Sequence, residues 1–145
     1  MSSKKADLFE ALVTRLRTLS WAQTVEWEII RPHTEFQANE YPAVQVFDTG
    51  EVIEHQTTKI QGQENIVIEV AFMRETGSVV NQRTLLERIE EIETLVGTPP
   101  LNLGVPGVIH LLYVANATDL HMIETEHYRA QLTFQVIMRR DFVNC

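Results

Sequence analysis

Five histidines, at positions 33, 55, 110, 121 and 127, are the residues whose type first suggests catalysis or metal binding. Imidazole and carboxylate groups hold zinc or iron when several converge at fixed geometry. One segment gathers them: His121-Met122-Ile123-Glu124-Thr125-Glu126-His127. On an extended hairpin link its side chains alternate between faces and spread along the chain, so they do not converge. A solvated polar turn accounts for the segment, and no metal ligand is assigned. The alternative is a small metal-dependent enzyme with Glu124 as general base, which bound zinc or iron after purification would support. His110, inside an apolar strand, reads as a hydrogen-bonded, half-buried histidine.

Nucleophilic catalysis finds no better footing. Serine occurs only at 2, 3, 20 and 78, never in a Gly-x-Ser-x-Gly turn. Cys145 is the last residue written, where a chain is hard to hold in a preorganised site. Gly104-Val105-Pro106-Gly107 shares two glycines with phosphate-cradling loops. It lacks their Lys-Ser/Thr pair, and Pro106 removes a backbone donor, so a tight connector is the better reading. Among the carboxylates, Glu87 with Glu90 or Glu91 makes a like-charge surface that costs a helix a few tenths of a kcal/mol per pair. A solvated face explains it; the sharper reading is a wall that keeps a polyanion off. No catalytic residue and no cofactor are assigned, and the chain is expected not to be an enzyme.

The balance of charge points the same way. With 12 basic and 20 acidic residues in 145, the net charge is −8, which excludes a general nucleic-acid binder. A single cysteine excludes a disulfide framework within one chain. This length fits one domain, residues 1–145, and a chain of this size buries about 70% of its unfolded surface. Met1-Ser2-Ser3-Lys4-Lys5 starts like a secretion signal, but Asp7, Glu10, Arg15 and Arg17 interrupt the apolar run that a signal would need. The longest apolar run, Val108 to Ala115, is far short of the roughly 20 residues of a membrane span. A reducing cytoplasm and no membrane are expected.

Two helices and several strands must position whatever this chain presents. Leu8, Phe9, Leu12, Val13, Leu16 and Leu19 form one apolar stripe, predicting a helix over 6–19. Trp21 and Trp27 can pack, and Val25 to Ile29 alternates like a short strand. Residues 31–40 are polar and without period, a long loop ended by Pro42. Ala43 to Phe47 reads as a strand, with a turn at Asp48-Thr49-Gly50. Residues 51–74 read as a β-hairpin with a polar tip at 55–63; Ile66, Ile68, Val70 and Phe72 mark its inward face, with Glu69 between them. A second helix, about 81–96, has Leu85, Leu86, Ile89, Ile92, Leu95 and Val96 on its apolar face and stops at Gly97 and Pro99. Strands at 108–115 and 127–140 close the order, the last alternating cleanly from Tyr128 to Met138. The fold class is α+β: a mostly antiparallel sheet of four to five strands, two helices on one face, and a long polar-tipped hairpin.

This order of elements resembles the tail terminator (tail-completion, minor tail) proteins of long-tailed bacteriophages, and more loosely the head–tail joining proteins. The resemblance rests on the helix Leu8–Leu19, the strand start Tyr41-Pro42-Ala43-Val44, the hairpin 51–74, the helix 81–96 and the strand Tyr128–Arg140. It spans nearly the whole chain. It implies a structural virion protein of the tail, assembled in the host bacterial cytoplasm as a ring, usually a hexamer. Such a ring ends growth of the tail tube and offers the head a docking surface. The implied partners are further copies of this chain, the tail tube protein and a head-completion or connector protein, with DNA passing transiently and without sequence specificity.

Within that picture the loop 31–42 and the hairpin tip are the segments expected to order on assembly. Phe36, Gln37, Thr57, Thr58, Lys59, Ile60 and Gln61 are the candidate contacts with a neighbouring copy or the tube. Glu51, Glu54, Glu87, Glu90 and Glu91 are the candidates for a channel wall that repels phosphate. Besides the small metal-dependent enzyme named above, two other readings stand beside the terminator. One is a head–tail connector ring subunit; the other is a small ligand-binding adaptor domain, monomeric or dimeric.

Overall fold

The computed structural model describes residues 4–32, 34–55, 60–73, 82–97, 104–105, 108–118 and 127–140. The elements run α1 (Lys4–Leu16), β1 (Thr24–Glu26), a 3-10 turn (Ala38–Glu40), β2 (Ala43–His55), β3 (Ile60–Met73), α2 (Gln82–Val96), β4 (Val108–Thr118) and β5 (His127–Arg140). The five strands form one sheet in the order β1-β2-β3-β5-β4. β2, β3, β5 and β4 pair antiparallel in turn, and β1 lies parallel to β2 at the edge. The expected α+β class, with a mostly antiparallel sheet, is what forms.

One face of that sheet carries the main core. Leu8, Leu12 and Leu16 of α1 and Leu85, Ile89, Ile92 and Val96 of α2 pack on Val44 and Val46 of β2, on Ile66, Ile68, Val70 and Phe72 of β3, and on the alternate residues Ala130, Leu132, Phe134, Val136 and Met138 of β5. The alternation read from β5 holds residue by residue: Ala130, Leu132, Phe134, Val136 and Met138 are buried, and the residues between them are half-buried on the other side. Burying each large apolar side chain stabilises the fold by roughly 1.5–3 kcal/mol before chain entropy is counted. Arg15 then ties the helices together, its guanidinium donating to the carbonyls of Val96 at 3.2 Å and Leu95 at 3.5 Å. A cation at a helix C-terminus satisfies carbonyls that have no partner in the helix and complements its dipole.

Several boundaries differ from the pattern-based expectation. The first helix stops at Leu16 rather than Leu19, although Leu19 stays buried on the turn beyond it. The strand expected at 25–29 is only Thr24–Glu26, because the Glu26 carboxylate accepts from the backbone N–H of Trp27 and Glu28 and turns the chain away. The two tryptophans go to different helices: Trp27 stacks on Phe9 and Trp21 donates to Glu91 on α2. Asp48-Thr49-Gly50 is not a turn between strands. It is a bulge inside one continuous strand, with Gly50 at φ +117° and its N–H donating to Asp48 Oδ1 at 2.9 Å. Aspartate and glycine signal a turn and a bulge alike, because both need a left-handed residue and a local side-chain acceptor. The hairpin therefore starts at Ala43, and pairing continues to His55 opposite Ile60.

The segment expected to be a loose loop, 31–42, is held to the sheet. The Gln45 side-chain amide makes two bonds with the Arg31 backbone, at 2.9 and 2.8 Å, and the Arg31 guanidinium grips Glu40 at 2.7 Å. Phe36 and Tyr41 meet edge to face over Ala43 and Ala71, forming a small second core on the sheet face away from the helices. The Tyr41–Pro42 bond is cis, and the Pro42 carbonyl accepts from Gln23 at 2.9 Å, which sets β1 beside β2. In the single chain the described residues of this segment already pack on the sheet.

Candidate functional site

The sequence candidates fall on three separate surfaces. Thr57, Thr58 and Lys59 lie outside the described residues. Ile60 and Gln61 open β3, paired in the ladder with His55 and Glu54 on one side and Arg140 and Arg139 on the other. They belong to a strand rather than to a free tip. Phe36 is buried in the second core, whereas Gln37 beside it is exposed. Glu51 and Glu54 stand in β2, opposite Glu64 and Gln61. Of the histidine segment, His121 to Glu126 lie outside the described residues and His127 begins β5.

Helix α2 turns Glu87, Glu90 and Glu91 to solvent, on the side away from its core-facing Leu85, Ile89 and Ile92. With Thr94 and Leu95 they line a shallow, open depression. Two of the three carboxylates have structural partners. Glu87 pairs with Arg83 one turn back at 3.1 Å, and Glu91 accepts from the Trp21 indole at 2.8 Å. Exposed pairs of this kind add little stability, so the acidic face is available for interaction at small cost.

The sheet face opposite the helices is different in kind. Gln63, Asn65, Gln131, Thr133 and Gln135 lie half-buried across β3 and β5. The charges there cancel: Arg129 sits 3.3 Å from the buried Glu69, which also accepts from Gln131 at 3.0 Å. In a chain of net charge −8, this face is amide-rich and close to neutral.

A third feature was not anticipated. Glu64 is fully buried on the helix-facing side of β3, with Lys5 Nζ at 3.2 Å. Lys5 also lies 3.9 Å from Asp48. Burial, then the Asp48 carboxylate, push the Glu64 pKa up to about 8 against the pull of Lys5. No donor is well directed at either Glu64 oxygen. The neighbouring Glu64 carboxyl, and after it the Gly50 N–H, hold the Asp48 carboxyl below its ordinary range against its own partial burial. Lys5 and Asp48 border a groove of about 260 Å³ walled by Phe9, Trp27, Ile30 and Val46. Ile30 of this groove is exposed, as is its chain neighbour Ile29. The signal for Glu64 was present in the sequence: counting back two residues from Ile66 continues the inward alternation onto it.

Among the described residues no group of three or more His, Cys, Asp or Glu side chains could hold a metal ion. No helix among them is long and apolar enough to cross a membrane. No family model matches the chain, and no curated protein matches it either. Among solved structures, the chain is similar to one described as "Virion of native gene transfer agent (GTA) particle", with a TM-score of 0.62 at 12% identity. That match covers 97% of this chain and 100% of the other, so the two share a fold along their whole lengths.

Proposed function

We propose that this protein is a structural component of a phage-like virion, a ring subunit that ends the tail tube and presents the surface to which the head docks. The observation that carries this reading is the end-to-end fold match to a chain of a virion particle. The element order, read independently, resembles tail terminators. The surfaces suit such a role: a domain whose interior is filled by a conventional core leaves its faces and edges to do the work.

In this reading the hairpin end around Thr57 to Gln61, with Gln37, meets the tube or a neighbouring copy. The carboxylates Glu87, Glu90 and Glu91, with Glu51 and Glu54, face the passage of DNA. Negative charge on that wall keeps phosphates from binding through counterion release, so a genome passes without sticking. The protein is not an enzyme and needs no cofactor. A head–tail connector ring would use the same kind of subunit, and the partner it binds separates the two.

Polymerising tail tube protein with and without this chain is the test. A terminator yields tubes of bounded length, with extra density at one end. Unchanged tube lengths and bare ends contradict the reading.

A further inference from the structure

The sheet has two long outer edges along which no described strand pairs. On one side β1 pairs only with Ala43 to Gln45, which leaves β2 from Val46 onward without an outer neighbour among the described residues. On the other side β4 pairs with β5 alone. An unpaired strand edge offers a row of N–H and C=O groups to another strand, and proteins usually blunt such edges with charge or proline. β4, Val-Ile-His-Leu-Leu-Tyr-Val-Ala-Asn-Ala-Thr, contains no Asp, Glu, Lys, Arg, Pro or Gly. It is unprotected. The free part of β2 carries Asp48, Glu51 and Glu54.

The two edges match in height and direction. One row of paired residues runs Ile53, Gly62, Met138, Val108 across the sheet, and another runs Val46, Ile68, Leu132, Asn116. Val46–Ile53 of β2 and Val108–Asn116 of β4 therefore span the same rows at opposite edges. β2 and β5 point one way, β3 and β4 the other. A second copy placed beside the first by rotation about an axis along the strands keeps those directions. Its β2 then runs antiparallel to β4 of the first.

We propose that neighbouring copies join edge to edge, β4 of one pairing antiparallel with the free stretch of β2 of the next. This rests on the ring reading above and supplies its contact. The pairing is head-to-tail, which is the kind that closes rings. A two-fold β2–β2 contact would oppose like charges, which is unfavourable across a strand pair. A two-fold β4–β4 contact would leave the β2 edge bare and close no ring.

The test uses full-length chains carrying Cys145→Ser, which removes the only native cysteine. One variant adds Thr49→Cys in β2 and the other Ala115→Cys in β4. Each is first checked for an unchanged thermal melt. The two are mixed under assembling conditions and treated with a short bismaleimide, which tolerates a stagger of a residue or two. Cross-linked dimer is expected in the mixture, several-fold above either variant alone, and the double variant should give a ladder of higher species. Dimer from Ala115→Cys alone, or rings without mixed cross-links, overturns edge pairing while leaving the ring intact. A chain that never assembles, even with tubes present, overturns both.

Discussion

Lys5 on the first turn of α1 lies 3.2 Å from Glu64, a wholly buried carboxyl on β3. That contact joins the start of the first helix to the middle of the sheet, beside the β2 bulge at Asp48. Its neighbours set its behaviour. Asp48 disfavours the Glu64 anion and Lys5 favours it, and burial decides in favour of the neutral acid.

The stability of the fold should therefore respond to pH through Glu64. Its ordinary value is 4.5 and its folded value about 8, so the folded chain binds the extra proton between those limits. Stability from this group is complete below pH 4.5, falls as pH rises toward 8, and is level above that. The slope is at most about 1.4 kcal/mol per pH unit for one proton. Asp48 works oppositely, losing its contribution as pH falls below its ordinary 3.8. Urea unfolding of Glu64→Gln across this range should show the slope removed; an unchanged profile would contradict the assignment.

The two faces of β5 should respond differently to truncation. Leu132→Ala removes a fully buried side chain from the helix-facing core and should cost about 2–5 kcal/mol. Thr133→Ala, half-buried on the opposite face, should stay within about 1 kcal/mol. Chemical denaturation of both variants checks the orientation of the sheet.

Arg15→Ala should loosen the end of α2. Losing the bonds to the Val96 and Leu95 carbonyls is expected to cost about 1 kcal/mol. Hydrogen exchange should accelerate in the last turn of α2 before the rest of the helix.

Gly50→Ala tests the bulge. A Cβ there meets nothing within 4 Å, so the penalty comes from φ +117° rather than from a clash. It should be about 1–3 kcal/mol, and no larger for Gly50→Ser than for Gly50→Ala. A neutral result would mean that the strand runs straight through this position.

Replacing Glu87, Glu90 and Glu91 together by Lys should leave the melting temperature within a few degrees, since all three are exposed. Retention of DNA by assembled rings should rise and should fall again with added salt. No change in retention would put these carboxylates on the outer wall.

Much of this architecture was legible in local pattern. The helix at 82–96 and the strand at 127–140 fall where their periodicities put them, because each buries one face and the core selects that face directly. What escaped depends on distant partners. The pairing of β1 with β2 involves three residues and a bond to the Pro42 carbonyl, which no local pattern encodes. The loop 31–42 is largely polar, yet Gln45 and Glu40 hold it by side-chain bonds to Arg31. Glu64 was hidden by its type, since a carboxylate on an inward position is read as exposed until Lys5 and Asp48 are seen beside it. The acidic face of α2 was visible from composition, but the pairing of Glu91 with Trp21 was not.

Whether copies of this chain close into a ring that caps a tail tube is decided by its mass in solution. That mass is measured across a range of concentrations and again after adding tail tube protein. A closed oligomer is expected, either of the protein alone at high concentration or formed on tube ends. A strict monomer that leaves tubes unbound would contradict the ring.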